Sequence, residues 1–155
     1  MKLKNLLLTL TKEDILNLLK LQDKVFINEL SLENNIKIRG VYKVIGLNID
    51  FYTMLTVNNF KNNILQIDIN DFKLSNKGGM NPIIKRSVAL FEKSINDIDG
   101  VTLANKILSI DIEKVVEVYC TEKYGIVLNK LIIDNLTSKN NCIELNINEV
   151  SLAFK

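Results

Sequence analysis

Between Ile36 and Leu74 the apolar residues fall at every second position over strand-length stretches. This period of two constrains the fold more than any other feature of the chain, because it demands sheets with one face buried. Ile36, Ile38, Tyr42 and Val44 alternate with Lys37, Arg39 and Lys43, and Leu47, Ile49, Phe51, Thr53, Leu55 and Val57 alternate after a turn at Gly46. Gly40 lies on the apolar phase, where a missing side chain permits a bend or a close approach. Asn58, Asn59, Lys61, Asn62 and Asn63 read as the next loop.

The later strands change phase. Leu65, Ile67 and Ile69 hold one phase, and after Asn70-Asp71 the apolar positions move to Phe72 and Leu74. Ile143, Leu145 and Ile147 do the same, moving after Asn148-Glu149 to Val150, Leu152 and Phe154. A one-residue change of phase within a strand is the mark of a β-bulge, which bends and twists it. The string Ile-Asn-acid-apolar-polar-Leu occurs at Ile27–Leu32, Ile69–Leu74 and Ile147–Leu152. Either it recurs by chance in a chain rich in Asn and Ile, or it marks three long, bent strands of one kind.

Helical patterns separate the strands. Thr11 with Asp14 three residues on is a weaker capping box, and Ile15, Leu16, Leu18 and Leu19 give the helix an apolar face up to about Leu21. Pro82 suits a first turn, and Met80, Ile84, Val88, Phe91, Ile95 and Ile98 form one helical stripe that Asp99-Gly100 ends. Leu103 to Ile110 leans towards a strand, Asp111 caps a short helix holding Ile112, Val115, Val116 and Tyr119, and two strands flank a polar loop from Thr137 to Asn141. The expected organisation is one domain over residues 1–155. It comprises an N-terminal helical segment (1–22), a strand meander (24–75), a long helix (79–98) and a mixed segment ending in two long strands (101–155).

Composition narrows the chemistry. The chain has 155 residues, enough for one core burying roughly 70% of the unfolded surface. Twenty basic against 18 acidic residues leave a net charge of +2, which calls for no nucleic-acid partner. No apolar run approaches the ~20 residues of a membrane span, and the short apolar start is followed at once by Lys12, Glu13 and Asp14. The chain reads as cytoplasmic, with Cys120 and Cys142 as reduced thiols. Histidine is absent, which removes Ser-His-Asp and Cys-His arrangements and the common zinc sites. Lys77-Gly78-Gly79 lacks the spacing of a phosphate loop and reads as a plain connection. Asp68, Asp71, Asp97, Asp99 and Asp111 follow no metal-loop spacing and read as solvated. Lys37, Arg39 and Lys43 form a modest basic stripe, with Tyr42 on the opposite phase. No cofactor, metal or catalytic residue is expected, and the protein is not read as an enzyme.

The stretch Ile36-Lys37-Ile38-Arg39-Gly40-Val41-Tyr42, the long alternating strands, and Leu65-Gln66-Ile67-Asp68-Ile69-Asn70-Asp71 before a glycine-bearing loop and helix resemble the single-repeat bacterial members of the tubular lipid-binding (TULIP) superfamily, over about residues 25 to 154. The resemblance implies an α+β fold, a long, bent antiparallel sheet wrapped around one long amphipathic helix, with an N-terminal helix and a short helix besides. It also implies a lipid or other hydrophobic ligand in the groove between helix and sheet. The residues that would line such a groove are Ile38, Tyr42, Ile49, Phe51, Leu55, Ile67, Ile84, Val88, Phe91 and Ile95, with Ser87 beside the stripe. The other reading is a structural or protein-interaction module with a packed core, forming a homodimer through a sheet edge.

Overall fold

In the computed structural model, which describes residues 1–19, 24–33, 35–44, 46–75 and 82–154, the chain is 65% strand and 23% helix. Among the described residues nine strands and three helices follow in the order β1 (Lys2–Thr11), α1 (Lys12–Leu19), β2 (Val25–Ser31), β3 (Ile36–Val44), β4 (Leu47–Lys61), β5 (Ile64–Ser75), α2 (Pro82–Asn96), β6 (Val101–Ala104), β7 (Ile107–Asp111), α3 (Ile112–Tyr124), β8 (Ile126–Lys139) and β9 (Cys142–Phe154). They form two antiparallel sheets, of three strands in the order β1-β9-β8 and six in the order β2-β3-β4-β5-β7-β6.

This corrects the expectation of one sheet wrapped around one long helix. The two long C-terminal strands do not extend the meander. They pair with each other and, through β9, with residues 2–11, which form a strand where an N-terminal helical segment is expected. The helix expected over 79–98 spans Pro82–Asn96 and lies on part of one sheet. Residues 76–81, which hold the Lys77-Gly78-Gly79 loop and Met80, fall outside the described residues, as do Leu21 and Asp23. Among the described residues no helix is long and apolar enough to cross a membrane.

The strands are shaped by asparagine in two ways. At every register shift in the pairs β2–β3, β4–β5 and β8–β9 the unmatched residue is an Asn or Asp: Asn28, Asn58, Asn70, Asn129, Asp134 and Asn148. The Ile-Asn-acid string therefore carries a bulge at its Asn each time. A bulge takes one residue out of extended geometry, and Asn and Asp tolerate such conformations because their side chains can bond nearby backbone. The tight turns Asn62-Asn63, Asn105-Lys106 and Asn140-Asn141 each have two consecutive positive φ angles between 51° and 62°. That is the two-residue hairpin geometry whose twist matches the strands, and Asn adopts it at low cost. The loops expected at 58–63 and 137–141 thus shrink to two residues each, and the ambiguous Leu103–Ile110 segment is the β6–β7 hairpin.

Each sheet has its own core. In the larger sheet Leu30, Tyr42, Ile49, Phe51 and Ile67 are buried on one face, on which α2 lies. In the smaller one Leu128, Leu131, Ile133 and Leu145 are buried, with Phe60 of β4 and Ile112 and Val116 of α3 packed on them. Capping fixes the helix ends. Asp14 accepts from the Thr11 backbone N–H (2.8 Å) and hydroxyl (2.6 Å) while the Thr11 hydroxyl accepts from the Asp14 N–H. Asp111 caps α3 through the Lys114 N–H, and Gly125 (φ 63°) ends it.

Gly40 serves a close approach. A Cβ there would stand 2.8 Å from the Phe51 ring and would collide with the Phe26 carbonyl oxygen. Gly40→Ala is therefore expected to destabilise by ~1–3 kcal/mol through overpacking. Urea unfolding checks this, and a change below about 0.5 kcal/mol, the scale of an ordinary surface substitution, would contradict it.

Candidate functional site: a free strand edge and a half-filled cleft

The expected groove residues of the sheet share one face. Cross-strand pairing places Tyr42 opposite Ile49 and Gly40 opposite Phe51, and Leu55 opposite Ile36 and Ile69, with Ile67 opposite Val57. Tyr42, Ile49, Phe51 and Ile67 are buried, and Ile38 and Leu55 half-buried. Val88, Phe91 and Ile95 of α2 are half-buried; Ile84 and Ser87 lie in α2, but their side chains fall outside the described set. Phe91 projects from α2 towards the sheet, its ring centre 5.6 Å from Tyr42, 5.6 Å from Phe72 and 6.5 Å from Phe51. What remains open is a cleft of about 370 Å³ beside it. Its apolar wall is Ile69, Phe72, Val88, Phe91 and Leu103, and its rim carries Asp71, Glu92 and Lys106. Of the ten expected residues, Val88 and Phe91 line this cleft.

Three of the five acids expected to be solvated make local contacts. Asp68 accepts from Asn58, Asp71 pairs with Lys73 at 3.0 Å, and Asp111 caps α3. Among the described residues no group of three carboxylates or thiols comes together as a metal site. The basic stripe lies on the polar face of the larger sheet, where Arg39 sits 5.3 Å from the centre of the Tyr52 ring and Lys43 4.4 Å from that of Phe26. Those two aromatics come from neighbouring strands, which a reading along one strand does not reveal. Cys120 and Cys142 are free and half-buried.

The edges of the sheets differ in a way that matters more. The outer edge of β8 is occupied by side chains. Asn63 donates to the Leu131 carbonyl (2.6 Å) and accepts from the Ile133 N–H (2.9 Å), while Glu113 accepts from the Leu131 N–H (3.0 Å). The side-chain amide of Asn63 stands in for a neighbouring strand. A hollow of about 630 Å³ opens there, but its Asn63 and Glu113 are already committed to β8. On β6, Asn96 repeats the device, accepting from the Leu103 N–H and donating to its carbonyl. On the β2 side the chain is pinned just beyond the strand. There the Leu32 N–H donates to Asn141 and the Leu32 carbonyl accepts from Ser138. The strand itself is bulged at Asn28, with α1 against it. Such blocking of unpaired backbone is how sheets avoid adding strands.

β1 has no such guard. Among the described residues no side chain bonds to its backbone between Lys2 and Leu10. Leu3, Leu6, Leu7 and Leu8 are 39%, 36%, 62% and 43% exposed. Leu6, Leu8 and Leu10 lie opposite Ile147, Leu145 and Ile143 of β9, so they prolong the apolar face of the smaller sheet past the cover that α3 supplies. On the other face Glu149 joins Lys2 of β1 (3.0 Å) to Lys130 of β8 (3.4 Å). The hydrogen bond from Lys2, with Lys130 beside it, holds the Glu149 carboxyl below its ordinary pKa. The sequence reading missed this edge because Asn5, at φ 55°, breaks the alternation of β1. No family model, curated protein or solved structure matches the chain.

Proposed function

We propose that this chain is a protein-interaction module that binds by strand addition at the outer edge of β1. One observation carries the reading. The ten-residue β1 offers unpaired backbone together with exposed leucines, while side-chain amides hold down β8 and β6. An added strand gains main-chain hydrogen bonds from the edge and apolar contact from Leu6 and Leu8. The free thiols Cys120 and Cys142 fit action in a reducing cytoplasm. Hydrogen exchange in the presence of an extended apolar peptide tests it. Saturable protection of the β1 amides is expected, with loss of that protection in the Leu6→Lys, Leu8→Lys double variant. Outer-edge β1 amides that exchange freely in the wild type and stay unprotected with the peptide would reject the reading.

A second reading, a hydrophobic ligand beside α2, rests on the cleft lined by Phe72, Val88, Phe91 and Leu103, and it is the function that the TULIP resemblance implies. A labelled fatty acid is then expected to bind saturably, and Val88→Trp to abolish binding with an unchanged melting temperature. If the cleft is instead needed by the packing, Val88→Trp costs ~1–3 kcal/mol and the wild type binds nothing.

A further inference from the structure

Resting on the strand-addition reading, we infer that the strand β1 receives is β1 of a second copy of this chain. The two would run antiparallel about a twofold axis at Leu8. The regular part of β1 begins after the left-handed Asn5 (φ 55°). From Leu6 to Leu10 it is self-complementary about Leu8. An antiparallel copy sets Leu6 of one chain against Leu10 of the other, and Leu8 against Leu8. All six of these leucines then stand on one face, because directly opposed residues in antiparallel strands share a face. That face continues Leu145 and Ile147 of β9. The product is one six-stranded sheet, β8-β9-β1 joined to β1-β9-β8, whose outer strands are the ones Asn63 and Glu113 already block.

Charge agrees with this arrangement. The start of β1 is basic, with Lys2 and Lys4. In the antiparallel pair Lys4 comes opposite Lys12 and Lys2 opposite Asp14 of the other copy's first turn of α1, where Lys12 and the exposed Glu13 and Asp14 sum to one negative charge. A parallel pair sets Lys2 and Lys4 beside their own copies, and addition of β1 to the β8 edge meets Asn63 and Glu113. The contact is isologous, the same edge serving both chains, and so closes at two copies.

Sedimentation equilibrium of the purified chain tests the inference, with Leu8→Lys and Leu8→Cys as variants. The wild type is expected at twice the 17.7 kDa chain mass and Leu8→Lys at 17.7 kDa, with unchanged circular dichroism. Under mild copper-phenanthroline oxidation Leu8→Cys should form a disulfide-linked dimer, mapped by mass spectrometry to position 8 of both chains. An antiparallel pair sets opposed Cα atoms within the ~4.4–6.8 Å that a disulfide requires. Lys4→Cys, displaced from the axis, should not cross-link. A wild type that stays at one chain mass while its β1 amides are protected by the apolar peptide would overturn the second-copy assignment and leave strand addition standing. A dimer that Leu8→Lys does not dissociate, or that cross-links at position 4 and not at 8, would overturn the arrangement. No protection at β1 and no dimer would remove both readings.

Discussion

Removing Asn146 from β9 is expected to unfold the protein, whereas removing Asn148, two residues on, is expected to leave it folded. The two deletions shorten the same strand by the same residue type, and they differ only in register. Asn148 is the unmatched residue of a bulge, for Ile147 stands opposite Ile133 and Glu149 opposite Ile132. Without Asn148 the strand passes from Ile147 to Glu149 in regular alternation. Leu145, Ile147, Val150 and Leu152 keep their face. β1 is already prepared for the loss, since Asn5 faces the bulge in a left-handed conformation and can itself become the extra residue. A cost of about 1 kcal/mol, typical of a single change that spares the core, is expected. Asn146, by contrast, is matched on both sides, opposite Leu7 of β1 and opposite Asn135 of β8 just past the bulge at Asp134. Its loss turns every side chain on one side of the cut to the opposite face, because the side-chain period is two. Exposing the buried Leu145 and its neighbours costs roughly 1.5–3 kcal/mol each, a sum comparable to a whole stability of ~5–15 kcal/mol. Equal urea midpoints for the two deletions would show that the register argument is wrong.

The same residue type explains what could and could not be read from the chain. The bulges at Asn28, Asn70 and Asn148 were legible, since each left a change of apolar phase or a repeated string. The hairpin turns were legible only as polar stretches. Asn58 and Asn59 look like Asn62 and Asn63 in a sequence, yet the first pair lies within β4 and the second makes the turn. An asparagine in a bulge and an asparagine in a turn are distinguished by the partner strand, which a single sequence does not show. β1 was hidden by the left-handed Asn5, which sets Leu3 and Leu6 three apart and imitates a helical spacing. The helix stripe from Val88 to Ile95 was real, but its period says nothing about how much sheet the helix covers. The edge guards were beyond reach altogether, for Asn63 meets Leu131 and Ile133 across 68 and 70 residues. So the apolar face of the larger sheet could be named in advance, and the free edge that carries the proposed function could not.

Phe91→Asp should be the most damaging single substitution in α2, and Lys85→Asp, on the same helix, should cost almost nothing. Phe91 is the one α2 side chain stacked against rings from three strands, with Tyr42 edge-on, Phe72 nearly parallel and Phe51 tilted. Truncating such a ring costs about 3 kcal/mol, the low end for phenylalanine because the side chain is half-buried rather than enclosed. An aspartate adds the penalty of placing a carboxylate against Tyr42 and Phe72 without a partner. That penalty needs no global unfolding to be relieved, because α2 can lift from the sheet while β2–β5 stay paired. The expected signature is therefore twofold. The urea midpoint falls, and the α2 amides lose exchange protection before those of β3 and β4 do. Lys85 is exposed, so its reversal of charge leaves packing untouched. If Phe91→Asp and Lys85→Asp unfold at the same urea concentration, α2 is not held to the sheet through Phe91, and the cleft beside it loses the wall on which the hydrophobic-ligand reading depends.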